Sequence, residues 1–102
     1  MDFEKIVNNV KERASDLGEL NHTVLFDLED AGKILLDASG DHLIVTANPE
    51  NDEAETTLVL SPENMHKLIL GELNPMVAFT TGKLKVFGSK GIALKLSSLL
   101  DQ

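Results

Sequence analysis

HTVLFDLEDAGKILLDASGDHLIVTA, residues 22–47, decides the fold class of this 102-residue chain. Its apolar residues fall at every second position. Val24, Phe26 and Leu28 alternate with Leu25, Asp27 and Glu29, the pattern of a strand with one buried face. Asp30-Ala31-Gly32 is a turn signal, and Ile34, Leu36 and Ala38 then share one face of a second strand. Ser39-Gly40-Asp41 is another turn, and Leu43, Val45 and Ala47 align in a third strand over residues 42–47. Three strands joined by short glycine-containing turns predict an antiparallel meander.

Toward the N-terminus the period changes to that of a helix. Phe3, Ile6, Val7, Val10, Ala14 and Leu17 lie on one face, with Asp2 placed to cap and Gly18 to terminate, which predicts an amphipathic helix over residues 2–17. Its other face carries both signs of charge (Glu4, Lys5, Lys11, Glu12, Arg13), unlike a basic membrane-surface helix. Toward the C-terminus, residues 48–53 are a polar, acidic loop and Glu55 to Leu60 a fourth strand. Ser61-Pro62-Glu63 is a strong helix start: a hydroxyl N-cap, proline at the first helical position and an acid at the positive dipole end. That helix turns Met65, Leu68 and Ile69 inward and ends near Gly71. A further turn or short helix spans Asn74 to Gly82, a fifth strand Lys83 to Phe87, and a closing helix Gly88 to Leu100.

Composition narrows the class of function. Hydrophobic residues make up 42% of the chain, as in a soluble globular domain, and the longest apolar run is Met76 to Phe79, too short to span a membrane. Cysteine is absent, which removes disulfides, thiolate catalysis and cysteine-based zinc sites. The net charge of −8 is uneven: residues 1–63 carry 15 acids and 4 bases (−11), residues 64–102 carry 2 acids and 5 lysines (+3). An acidic net charge, with four aromatic residues that are all Phe, argues against general nucleic-acid binding, which needs clustered Lys and Arg and stacking rings.

No arrangement of residues sets up a nucleophile with its base, so the chain reads as a non-enzyme with no cofactor, catalytic residue or metal ligand. His22, His42 and His66 fall on different elements, 20 and 24 residues apart, without metal-ligand spacing. The acidic loop lacks the glycine and terminal Glu of a calcium loop. Asp27 and Glu29 share a strand face that alternation assigns to solvent. Gly88-Ser89-Lys90-Gly91 matches neither phosphate-binding glycine motif and reads as a capping turn.

What stands out is apolar. Residues 65–100 hold 18 apolar side chains among 36, more than one helix face and half a strand usually bury. Either the domain has a thick core or these elements line a cavity. A ligand cavity of about 300 Å³ would cost on the order of 7 kcal/mol if left empty, against a typical stability of about 5–15 kcal/mol. Such a cavity in so small a chain should be partly collapsed or filled.

The stretch LGELNPMVAFTTGKLKV, residues 70–86, followed by Gly88, Gly91 and Ala93-Leu94-Lys95-Leu96, resembles the sterol carrier protein type-2 domain family. That family shows the string G-x-L/M-N-P-x-x-A-F-x-x-G-K-L/I-K-V/I-x-G-x-x-G-x-A-x-K-L. The earlier elements match in order, so the resemblance extends over one domain, residues 1–102. It implies an α/β (α+β) fold with a five-stranded, largely antiparallel sheet covered on one face by helices, the acidic loop making the crossover after the third strand. It further implies a hydrophobic tunnel between sheet and helices for sterols, fatty acids or fatty acyl-CoA, bound and transferred without chemistry. Some members instead assist lipid or quinone biosynthetic enzymes.

The resemblance implies a lipid-binding set of Met65, Leu68, Ile69, Leu73, Met76, Phe79, Leu84, Val86, Ile92, Leu96, Leu99 and Leu100. Ile92, Leu96, Leu99 and Leu100 would form a lid, and each of the twelve serves equally as plain core. Met76 and Thr81 stand where some carriers have Gln, and Ile34 or Leu35 where many have Trp. The implied partners are a lipid or fatty-acyl ligand, a membrane met transiently and a biosynthetic enzyme. With Leu100-Asp101-Gln102 in place of a peroxisomal S-K-L tail, the expectation is a free-standing, bacterial-type cytoplasmic member. Of the five lysines of the basic third, Lys83, Lys85, Lys90 or Lys95 is expected to face anionic head groups or a CoA phosphate near the tunnel entrance.

Overall fold

The alternation of residues 22–47 folds as the meander it predicts. The computed structural model describes residues 2–100, and in it β1 (Thr23–Asp27), β2 (Lys33–Asp37) and β3 (Ile44–Ala47) pair antiparallel in sequence order. β4 (Thr56–Val59) then lies parallel to β1 on its free side, and β5 (Lys85–Gly88) pairs antiparallel with β4. The strand order is β3-β2-β1-β4-β5, five strands with one parallel pair, the mixed sheet that the resemblance implies.

The acidic loop makes the crossover, and side chains fix where it lands. Glu55 accepts a hydrogen bond from the Thr23 backbone N–H at 2.9 Å, while the Glu55 N–H donates to Thr23 Oγ1 at 2.9 Å. This reciprocal pair sets the start of β4 beside the start of β1. The bond from the Thr23 N–H, with His22 Nδ1 at 3.1 Å, holds the Glu55 carboxyl below its ordinary range. Lys33 Nζ donates to Asp52 Oδ2 at 2.9 Å, anchoring the middle of the loop. At the loop's start Asn48 Oδ1 accepts from the Lys33 N–H at 2.9 Å. The neighbouring Gly32 (φ +135°) admits no side chain, since a Cβ there would lie 2.7 Å from Asn48 Oδ1 and 3.0 Å from the Phe3 ring. That glycine lets the N-terminal helix close onto the hairpin.

One face of the sheet carries the core. Val24, Phe26, Ile34, Leu36 and Leu58 cluster there with Ile6, Val10, Leu17, Leu68, Ile69 and Leu96 from the helices. The helices are α1 (Phe3–Glu12), α2 (Ala14–Leu17), α3 (Pro62–Ile69), α4 (Pro75–Thr80) and α5 (Lys90–Leu100). α1 begins at the Asp2 cap, whose side chain accepts from the Glu4 N–H, and α3 at Ser61, whose hydroxyl accepts from the Asn64 N–H at 3.1 Å with Pro62 following. Both starts are as the sequence predicts.

Three details differ from the sequence reading. The first helix breaks at Arg13 into α1 and α2, then runs on through a 3-10 turn at Gly18–Leu20. Gly18 is right-handed (φ −60°) and the left-handed stop falls at Asn21 (φ 59°), because Leu17 and Leu20 are both fully buried and draw the turn onward. The Arg13 side chain spans the break: Nε donates to Asp16 Oδ2 at 2.8 Å, Nη1 to the Ile69 carbonyl at 2.6 Å and Nη2 to the Leu100 carbonyl at 3.1 Å. It thereby joins the C-terminal ends of α3 and α5 to the first helix.

Leu25, which alternation turns toward solvent, is also buried, although it lies outside the core cluster. β1 is the central strand, so Leu25 stands in register between Leu35 and Thr57 and is covered by its sheet neighbours. On the same outer face, Ile44 and Phe87 are 57% and 59% exposed.

Candidate functional site

Asn74-Pro75 starts the wall of the site. The Asn74 side chain accepts from the N–H groups of Met76 (2.8 Å) and Val77 (3.3 Å), and Pro75 opens α4. After α4 the chain turns back on itself at Gly82 (φ +80°), and the Ala78 carbonyl accepts from Lys83 N at 2.8 Å and Leu84 N at 3.1 Å. This drops Leu84 into the core and aims the chain into β5.

At the other end of β5, Gly88 (φ +106°) passes so close to β4 that a Cβ would meet the Glu55 carbonyl at 2.7 Å. Thr56 Oγ1 lies within donating distance of the Phe87 and Ser89 carbonyls (3.2 and 3.1 Å), and Ser89 Oγ accepts from the Ile92 N–H at 3.2 Å. The Gly88–Gly91 segment is thus the capping turn its sequence suggests, and it starts α5 across the mouth of a concavity.

That concavity is lined by Leu58, Pro75, Met76, Phe79, Leu84, Val86, Lys90, Ala93 and Leu94, with about 140 Å³ of open space. Leu58, Leu84 and Ala93 are buried at its base, whereas Met76 and Leu94, 40% and 50% exposed, stand at its rim. Its wall is apolar except for Lys90, whose Nζ lies 5.7 Å from the centre of the Phe79 ring, in cation–π range. It is a pocket open at one side, in the place where the resemblance implies a tunnel. Its volume is about half the lower bound for small-ligand sites. An empty space of this size costs at most about 3 kcal/mol by the cavity relation, against about 7 kcal/mol for the larger one.

Of the twelve candidate residues, Met76, Phe79, Leu84 and Val86 come together on the pocket wall. Met65, Leu68, Ile69, Ile92, Leu96, Leu99 and Leu100 lie in the core cluster, and Leu73 packs against it half-buried. Helical geometry separates the two sets on α5. Ile92, Leu96, Leu99 and Leu100 follow the i, i+4, i+7, i+8 stripe that packs into the core, and none of the four is among the residues that border this pocket. Lys90 and Leu94, at i and i+4, occupy a different face and border the pocket, and Ala93, itself in the core cluster, borders both. Those three, with Leu58 and Pro75, are absent from the twelve, although Lys90 is one of the four lysines among which a head-group contact is expected. The i, i+3, i+4 spacing was the available signal for the α5 members.

A second concavity between α1 and β3, bordered by Phe3, Glu4, Val7, Asn8, Lys11 and Ala47, offers about 200 Å³ but is shallower and half polar. Among the described residues no group of three His, Cys, Asp or Glu side chains converges on one point, and no buried side-chain polar atom lacks a partner. Of the two concavities the apolar pocket is the more enclosed, and its wall offers a ligand apolar contact and one cation.

The comparisons with known proteins agree with this architecture. Residues 3–101 match the SCP-2 sterol transfer family. The chain is 29% identical over 100 residues to hydroxysteroid dehydrogenase-like protein 2 of Xenopus laevis, covering 98% of this chain and 24% of that protein. It thus spans about a quarter of the length of that curated relative. Sterol carrier protein 2 from Yarrowia lipolytica, solved in its apo form, superposes with a TM-score of 0.69 at 28% identity, covering 88% of this chain and 74% of that one. Sterol carrier protein 2 like 2 from Aedes aegypti shares the fold at a TM-score of 0.76 and 20% identity, covering 96% and 95%. With the family match running from the first helix to the end of the last, the chain belongs to the SCP-2 sterol transfer family.

Proposed function

We propose that this chain binds the apolar portion of a lipid, a fatty acid, fatty acyl-CoA or sterol, in the pocket between α4, α5 and the sheet, and carries it without chemical change. The observation that carries this reading is an apolar pocket with an exposed apolar rim in a member of the SCP-2 sterol transfer family. Burial of apolar surface at about 25 cal/mol per Å² is the driving force. Transfer requires short-lived contact with a membrane, for which Met76 and Leu94 at the rim are suitably placed.

Native mass spectrometry of gently purified protein, followed by lipid extraction and titration with a panel of fluorescent lipids, tests the proposal. A fluorescent ligand is needed because the chain has no Trp or Tyr. Co-purifying lipid, or saturable binding competed by unlabelled fatty acid, is the expected result. Ligand-free protein that ignores the whole panel overturns it.

A second reading, docking on a lipid or quinone biosynthetic enzyme, is favoured by Ile44 and Phe87 on the outer face of the sheet, away from the pocket. Under that reading a stoichiometric partner stays bound when Met76 and Phe79 are made polar and is lost when Ile44 and Phe87 are. Loss of the partner with the pocket variants alone refutes it.

A further inference from the structure

Among the described residues the pocket wall carries one charge, and its position bears on which lipids enter. Among the described residues, Lys90 is the only charged side chain on the pocket wall, and it takes part in none of the ion pairs, which are Arg13–Asp16, His22–Glu55 and Lys33–Asp52. Its ammonium is held at the mouth rather than the base: Lys90 is exposed, at the first turn of α5, with Nζ over the Phe79 ring. The cation–π contact keeps the charge close to an apolar surface while leaving its other donors free for an anion. The other lysines of the basic third lie elsewhere. Lys85 pairs with Val59 on the outer face of the sheet, and neither Lys83 nor Lys95 borders the pocket.

We infer that Lys90 is a specificity-determining residue, selecting amphiphiles that carry an anionic head, a carboxylate or phosphate, on a single apolar chain, against uncharged lipids of the same chain. The inference rests on the lipid-binding reading above and deepens it. The apolar tail lies against Leu58, Leu84, Val86 and Ala93, and the head stays at the rim, where Lys90 Nζ meets it without either charge being fully desolvated. An apolar pocket lacking that cation prefers the uncharged lipid, since burying part of a carboxylate opposes binding. With the cation present the order reverses. At an exposed mouth a single ion pair changes affinity by up to about fivefold.

The test is isothermal titration calorimetry of decanoate and 1-decanol, two ligands of equal chain, with the full chain and with Lys90→Gln and Lys90→Glu. Decanoate is expected to bind the unaltered chain more tightly than decanol. Lys90→Gln should weaken decanoate by about fivefold and leave decanol within about twofold, and Lys90→Glu should weaken decanoate further. Raising the salt to about 0.5 M should narrow the preference in the unaltered chain only. Thermal unfolding of each variant establishes that the exposed substitution leaves the fold intact. If decanol binds as tightly as decanoate to the unaltered chain, or if both variants keep the preference, Lys90 does not select the head group, although the pocket still binds lipid. If neither ligand binds, the lipid-binding reading fails and the selectivity fails with it. An alkyl phosphate of the same chain separates the two anionic heads: equal response to Lys90→Gln supports a general anion site, and response by the phosphate alone overturns the carboxylate arm.

Discussion

Replacing Arg13 by alanine removes one side chain and three hydrogen bonds, two of which hold helices that frame the molecule. Nη1 and Nη2 donate to the Ile69 carbonyl at the end of α3 and the Leu100 carbonyl at the end of α5, at 2.6 and 3.1 Å. Both acceptors lie where a helix leaves carbonyls without intrahelical partners and where a cation is favoured. A hydrogen bond from a charged donor contributes about 1.5–3 kcal/mol. The Arg13 side chain is 21% exposed, so water replaces part of what is lost. The pair with Asp16 is three residues away on the surface and contributes only about 0.3 kcal/mol.

The expected loss for Arg13→Ala is therefore about 2–3 kcal/mol, or roughly 10–20 °C in Tm at about 4–8 °C per kcal/mol for a domain of this size. Urea unfolding followed by far-UV circular dichroism measures it, since no Trp or Tyr reports folding by fluorescence. Arg13→Lys should recover about half, because a point donor reaches one carbonyl but not both. An Arg13→Ala protein within about 0.5 kcal/mol of the parent would show that water caps both helices equally well and that the three-helix junction is not a source of stability.

Met76→Trp should weaken lipid binding by filling the rim of the pocket while the fold is retained, because Met76 is 40% exposed and its replacement has room to lie on the surface. Fluorescent-lipid titration alongside thermal unfolding checks both halves, and unchanged affinity removes Met76 from the ligand's path. Acid should destabilise the protein through Glu55, Asp37 and Asp52, whose carboxyls are all held below their ordinary values. For Glu55 the first cause is the hydrogen bond from the Thr23 N–H; for Asp37 and Asp52 it is the side-chain bonds to Ser39 and Lys33. A lowered folded-state pKa means that the unfolded chain binds more protons, so stability is full above the ordinary values of 4.5 and 3.8 and falls as pH drops through and below them. Glu55→Gln should flatten that decline in a pH series of urea midpoints, and an unchanged slope would assign the acid sensitivity to other groups.

The meander, the Ser61-Pro62 helix start and the order of elements were legible because each rests on a local pattern: period two, a capping hydroxyl, a glycine at a turn. The break at Arg13 was not, since it follows from two carbonyls far along the chain that draw one guanidinium across a junction. Leu25 was misplaced because alternation describes one strand, whereas the burial of its outer face depends on Leu35 and Thr57 in the neighbouring strands. The pocket was legible as an excess of apolar residues in the last third, but not as a particular wall. Apolar side chains of core and pocket obey the same spacing, so the sequence alone does not tell Ile92 and Leu96 in the core from Leu94 at the pocket rim. Lys90 was one of four candidate lysines, and only its place over Phe79 sets it apart.

α4 is six residues long, less than two turns. A helix that short does not hold itself together, because its few internal bonds hardly offset the cost of nucleation. It persists through the Asn74 cap, the Thr80 and Thr81 hydroxyls bonded back to Val77, and the burial of Ala78. Its opening free energy is set by those few contacts and not by the stability of the whole domain, which places it at the low end of local unfolding energies. Backbone amides of residues 76–80 should then exchange with deuterium far sooner than those of β1, and a ligand lodged against Phe79 should slow them first. The side of the pocket that is cheap to open is also the side that carries Met76 of its rim and the Phe79 ring beneath Lys90.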